Sequence, residues 1–111
     1  MNKKELRLLQ KRDSYCWHCG TDDATLVPHH RQNRGMGGSK DLDNLANVIF
    51  VCARYNSQME DSGFWAERAR EQGHKLQRWQ NPESSPCFDV TSGQWFLLDR
   101  LGNKTDVENI G

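Results

Sequence analysis

No stretch of this sequence is apolar for long. Crossing a bilayer takes roughly 20 consecutive apolar residues, and the run Val48-Ile49-Phe50-Val51-Cys52-Ala53 ends at Arg54, far short of that. An integral membrane protein is therefore not expected. No charged-then-apolar leader opens the chain, so the sequence predicts no secretory signal and, with it, a reducing compartment. Net charge is also missing: 15 Lys and Arg balance 15 Asp and Glu, which excludes a histone-like polycation. Glycine and proline, nine and three, are too few for a wholly disordered chain, and the aromatics are too many. Hydrophobic residues are scarce as well, 35% of 111 residues with a mean hydropathy of −0.91. A chain so short and polar builds only a small core, and a staple such as a metal is expected to help it.

Charge and cysteine are unevenly spread. Residues 1–40 hold eight Lys and Arg against four Asp and Glu, and residues 41–111 hold seven against eleven. This asymmetry permits a basic face that meets phosphate, although solvated mixed charge has the same signature. The four cysteines are Cys16, Cys19, Cys52 and Cys87. Cys16 and Cys19 form a C-x-x-C pair with Gly20 behind it, a spacing that suits one tetrahedral zinc. A redox pair would need a βαβ context that is absent, and unligated cysteines are the plainer alternative.

The chain predicts a short amphipathic helix over 2–12 with Leu6, Leu8 and Leu9 on its apolar side. The knuckle at 15–20 and a β-like run at 25–27 follow, the latter stopping at Pro28. His29 and His30 come next, then a loop over 31–40 rich in glycine and basic residues. Asn47 to Val51 reads as a strand closed by Cys52. A helix is expected from about 54 to 72, with Tyr55, Met59, Trp65 and Ala69 inward, Gly63 as a kink or break and Gly73 as its stop. Residues 80–86 look like a linker, 87–98 like a β-hairpin, and Gly102 opens a polar tail expected to fray.

The chemistry lies in the order of these parts. Two adjacent histidines leaving a strand point to opposite faces, so one imidazole can bind a metal while its neighbour meets substrate. A neutral imidazole takes a proton from water, and a divalent ion stabilises a departing phosphate oxygen. Asn56 and Glu60 share a helix face and can complete an ion site from the other side. In this order, Cys16-Trp17-His18-Cys19-Gly20, Pro28-His29-His30-Arg31, Arg34-Gly35-Met36-Gly37-Gly38-Ser39-Lys40, Asn47-Val48-Ile49-Phe50-Val51-Cys52 and Asn56 resemble the HNH endonucleases, and more narrowly the small members encoded by tailed bacteriophages. The resemblance covers residues 13–79, and the hairpin at 87–98 is similar to C-terminal extensions of some phage members.

The resemblance implies an α+β fold: a small ββα-metal core with a zinc-knuckle-like C-x-x-C, an N-terminal helix and an appended β-hairpin. It implies a nuclease domain over 1–79, with linker, hairpin and tail (80–111) packed on it. His29 matches a metal ligand, His30 the general base, and Asn47 the asparagine that holds the loop and orients the base. Asn56 matches the third position, and Glu60 an added ligand one turn later. A hard donor set of this kind favours one Mg²⁺ or Mn²⁺. The reaction implied is hydrolysis of a DNA phosphodiester, by nicking or double-strand cleavage, in the cytoplasm of an infected bacterium, with phage packaging proteins as partners. Activity is expected to fall in acid, because a protonated base cannot accept a proton.

One departure is specific. Zinc-stabilised members carry a second C-x-x-C, and here Tyr55 stands where its last cysteine belongs. Cys16, Cys19 and Cys52 then need a fourth ligand for Zn²⁺, with His18 and Cys87 as alternatives, or else they pack as small hydrophobes. Arg31, Arg34, Lys40 and Arg54 flank the site and are the expected phosphate contacts, with plain surface charge as the duller reading. The four tryptophans are expected to be mostly part-buried. The alternative function is a catalytically degenerate DNA- or protein-binding module on the same scaffold.

Overall fold

A computed structural model describes residues 1–22, 25–33 and 40–107. Among them are three α-helices and two antiparallel sheets, an α+β arrangement. Helix α1 (Lys3–Arg12) starts at a capping box in which the Asn2 side chain accepts from the Glu5 backbone N–H and Glu5 reaches back to Asn2. Of its expected apolar side, Leu9 is buried and Leu8 partly so, while Leu6 stays exposed.

Strand β1 (Leu26–His30) pairs antiparallel with β2 (Val48–Cys52), Leu26 opposite Cys52 and His30 opposite Val48. The sequence ended β1 at Pro28, yet pairing runs through it. Proline lacks only the N–H, and a two-stranded sheet leaves edges where that donor is not needed. All five residues of β2 are buried, and its alternation feeds two clusters. Val48 and Phe50 pack with Leu9 and Leu45, whereas Ile49 and Val51 pack with Cys16, Trp17, Tyr55, Met59 and Leu98. One strand thus joins the N-terminal helix to the rest of the core.

The expected single helix is two, α2 (Ala53–Asp61) and α3 (Gly63–Glu71), divided at Ser62. Ser62 caps α3 by accepting from the Trp65 backbone N–H, and Gly63 opens that helix. Gly73, at φ +74°, ends it in the left-handed region that glycine favours, with the Pro86 carbonyl directly over its Cα.

Strands β3 (Cys87–Asp89), β4 (Gln94–Leu98) and β5 (Lys104–Asp106) form the second sheet. The expected hairpin gains a third strand in the region read as a fraying tail, because Leu97 pairs with Thr105 beyond the turn at Gly102. This sheet packs on the first half of the chain: Cys87, Phe96 and Leu98 enter the same core as Cys16 and Tyr55. No helix among the described residues is long and apolar enough to cross a membrane.

Candidate metal centres at the two ends of the β1–β2 hairpin

At one end of the hairpin lies a thiol cluster. The Cys16, Cys19 and Cys52 sulfurs all lie within 4.8 Å of one another, and Cys19 Sγ is 3.6 Å from Cys52 Sγ. Zinc with Zn–S bonds of about 2.3 Å sets tetrahedral sulfurs about 3.8 Å apart, so the spacing fits. The knuckle is a tight turn in which the Gly20 N–H donates to the Cys16 carbonyl at 3.0 Å and Gly20 sits at φ +76°. Backbone N–H groups aim at the sulfurs: His18 and Cys52 donate to Cys16 Sγ at 3.3 and 3.2 Å, and Tyr55 donates to Cys52 Sγ at 3.4 Å. Such donors favour thiolate over thiol. Burial nevertheless pushes the Cys16 thiol up to about 11. For exposed Cys19, what burial there is also raises the thiol, but hydrogen bonds to the Thr21 backbone, Cys16 and Cys52 bring it below the usual thiol range. The three cysteines can hold a structural metal such as zinc.

Neither candidate fourth ligand belongs to this set. His18 stacks on Tyr55, rings 4.0 Å apart and 6° from parallel, with its Nδ1 buried and without a hydrogen-bond partner among the described residues. Cys87 is fully buried, its thiol pushed up to about 11 by burial. Tyr55, at the position expected of a cysteine, sends its hydroxyl instead to His74 Nδ1 at 2.8 Å.

At the other end the strand alternation separates the two histidines. His29 is buried and His30 half-buried. His29 Nε2 is 2.8 Å from the His74 carbonyl, which can only accept, so this nitrogen carries the proton. Burial holds the His29 imidazole below its ordinary pKa, opposed by its hydrogen bonds to the His74 backbone and the Asn56 side chain. The ring is therefore neutral near pH 7 with its lone pair on Nδ1. A histidine oriented by a backbone carbonyl in this way is suited to ligating an ion. Asn56, in the first turns of α2, is hydrogen-bonded to His29, and the exposed Glu60 carboxylate one turn on acts on the same ring electrostatically. Of the expected ion ligands, His29 and Asn56 are thus hydrogen-bonded to one another, and Glu60 acts on the same ring through its charge alone. Among the described residues the cysteine cluster is the one set of three or more His, Cys, Asp or Glu donors close enough to share an ion.

His30 Nε2 lies 3.1 Å from Asp43 Oδ1. The same carboxylate meets the Met1 amino group, and that hydrogen bond, with the one from His30, holds Asp43 below the usual carboxylate range. Asn47 is fully buried and ties together the two ends of the segment that follows the histidines. Its Oδ1 accepts from Gln32 N at 2.8 Å, and its Nδ2 donates to the Gln32 and Leu42 carbonyls at 3.0 and 2.8 Å. Its own carbonyl accepts from Arg31 N at 2.7 Å.

Arg31 is not at the surface. It is 1% exposed, and its guanidinium donates to the carbonyls of Gly73, Ala46, Pro82 and Ser85 at 2.8, 2.9, 3.0 and 2.6 Å. The expected phosphate contact is instead an internal staple, since a buried guanidinium needs all its donors satisfied. Arg54 is exposed at the start of α2, as a phosphate contact requires. Lys40 opens a short 3₁₀ turn (Lys40–Leu42), and Arg34 lies outside the described residues. Of the tryptophans, Trp17 is buried and Trp65 half-buried, but Trp79 is 81% exposed and Trp95 40%.

Sequence reasoning missed Asp43 and His74. Asp43 sits in an acidic stretch with no distinguishing spacing. His74 follows the helix-ending Gly73, a position that marks a chain reversal but gives no sign of what it reaches. His74 is fully buried: Nε2 donates to the Phe88 carbonyl at 2.7 Å and Nδ1 accepts from Tyr55, while burial drives its pKa down to about 3. Comparison with protein-family models, characterised proteins and solved structures finds no match to this chain.

Proposed function

We propose that this protein is a metal-dependent DNA endonuclease of the HNH type, built on a ββα-metal core. The observation that supports the reading is the division of the histidine pair, His29 held on the His74 carbonyl and His30 on Asp43 at the other face of the strand, with His29, Asn56 and Glu60 as the donors an ion would take. A divalent ion held by those three donors would neutralise phosphate charge and stabilise the leaving 3′ oxygen, with N and O ligands that suit Mg²⁺ or Mn²⁺.

The protein's own groups do the rest. His30 accepts the proton of the attacking water. Asp43, on its Nε2 side, fixes the ring and stabilises the imidazolium that forms. Asn47 prevents the segment carrying His30 from shifting, because its side chain is bonded on both flanks of the loop. The thiol cluster at the far end serves the fold, with zinc as the fitting ion.

The test is plasmid cleavage by purified protein with Mg²⁺ or Mn²⁺. Cleavage abolished by His30→Ala, with the circular dichroism spectrum unchanged, supports the reading. Duplex retention that ignores both His30→Ala and EDTA, without any cleavage, would make the protein a binding module instead.

A further inference from the structure

The segment from the end of α3 to Trp79 carries Arg70, Lys75 and Arg78, none of which the reading above uses. The three line one cleft of about 400 Å³, whose opposite wall comes from Gln32, Asn33 and Leu42. Among the described residues, no acidic side chain lines it. Among the described residues, none of the three cationic heads makes an ion pair or a side-chain hydrogen bond.

The cleft adjoins the candidate ion site on both walls. Lys75 follows His74, whose carbonyl holds His29, and its charge reaches the His29 ring. Leu42, whose carbonyl Asn47 holds, precedes Asp43, the partner of His30. The cationic wall is also rigidly built. The buried Gln32 amide donates to the carbonyls of Gln77, Arg78 and Gln80 at 2.8, 2.9 and 2.8 Å, and Leu76 N donates to the Arg31 carbonyl at 2.7 Å. The residues just after the histidine pair therefore hold the backbone that carries Arg78 and lies next to Lys75.

We propose that this cleft is a phosphate subsite, in which Arg70, Lys75 and Arg78 grip the DNA backbone beside the scissile position. It deepens the nuclease reading and rests on it. Three positive heads with no carboxylate among them match a run of phosphates. Contacts of this kind supply affinity and register without reading sequence.

Fluorescence anisotropy on a labelled non-specific duplex, with no Mg²⁺ or Mn²⁺ added so that nothing is cut, tests it across a range of salt. Each phosphate contact contributes about 0.9 to the slope of log K against log salt for duplex DNA. The Arg70→Gln/Lys75→Gln/Arg78→Gln variant should lower that slope by about 2 to 3 and weaken binding by at least about tenfold. Single Lys75→Gln and Arg78→Gln variants should each lower it by about 1, and they answer the question if the triple variant does not fold. Unchanged affinity and slope in the variants overturns the subsite. So does wild-type binding to polyglutamate as tight as to duplex, which would mark an acidic protein as the partner. Wild type that cleaves plasmid while the variants bind normally would sink the subsite alone; wild type that neither binds nor cleaves sinks both readings.

Discussion

The β1–β2 hairpin carries three thiols at one end and two imidazoles at the other, and the two ends are held differently. At the Leu26–Cys52 end three sulfurs converge on one point, braced by backbone N–H groups. At the His30–Val48 end the imidazoles diverge, each oriented by an oxygen: a carbonyl for His29 and a carboxylate for His30. Convergent donors close a site for structure, whereas divergent ones leave room for substrate between them. The two ends also communicate. Tyr55 donates its N–H to Cys52 and its hydroxyl to His74, whose carbonyl in turn orients His29.

The strongest way to sharpen the contrast is to strip the thiol end. If it holds structural zinc, chelation should destabilise the domain by well over about 5 kcal/mol, since structural zinc contributes folding energy directly. Metal analysis paired with thermal unfolding checks this, and equal melting temperatures with and without chelator would break the structural assignment. At the histidine end, His30→Ala should cut the rate by about 10²- to 10⁴-fold while leaving the melting temperature within a few degrees. Substituting Arg31 should have the opposite profile. Arg31→Met leaves four carbonyls without their donor and should cost about 3 to 5 kcal/mol in urea unfolding. A loss below about 1 kcal/mol would mean that solvent replaces the guanidinium.

The smallest effect per unit change is in pH. His74 is neutral in the folded protein down to about 3, whereas an unfolded histidine titrates near 6.5. The unfolded chain therefore binds the extra proton between these values. Stability from this group is complete above about pH 6.5 and is lost as pH falls toward 3, at up to about 1.4 kcal/mol per pH unit. Denaturation at a series of pH values should show this slope, and His74→Phe should flatten it.

Much of this arrangement is written locally. The C-x-x-C turn and the alternation that separates His29 from His30 follow from spacing, and the structure clusters Cys16 and Cys19 with Cys52 and buries His29 more deeply than His30. What spacing does not carry is the partner across the fold. Arg31 looks like any arginine beside a histidine pair; only tertiary packing shows that four distant carbonyls wait for it. Asp43 and His74 were missed for the same reason, since their roles come from contacts 13 and 19 residues away. The third strand of the second sheet was hidden because its three residues, Lys104–Asp106, show no apolar alternation.

The staple formed by Arg31 bears on how far the chain can be shortened. Two of its four acceptors, Pro82 and Ser85, belong to the stretch that a motif-based boundary at 79 would discard. Trimming there would strand a buried positive charge directly beside the histidine pair. The minimal working unit therefore extends past the motif, into a tail whose composition advertises nothing but a spacer.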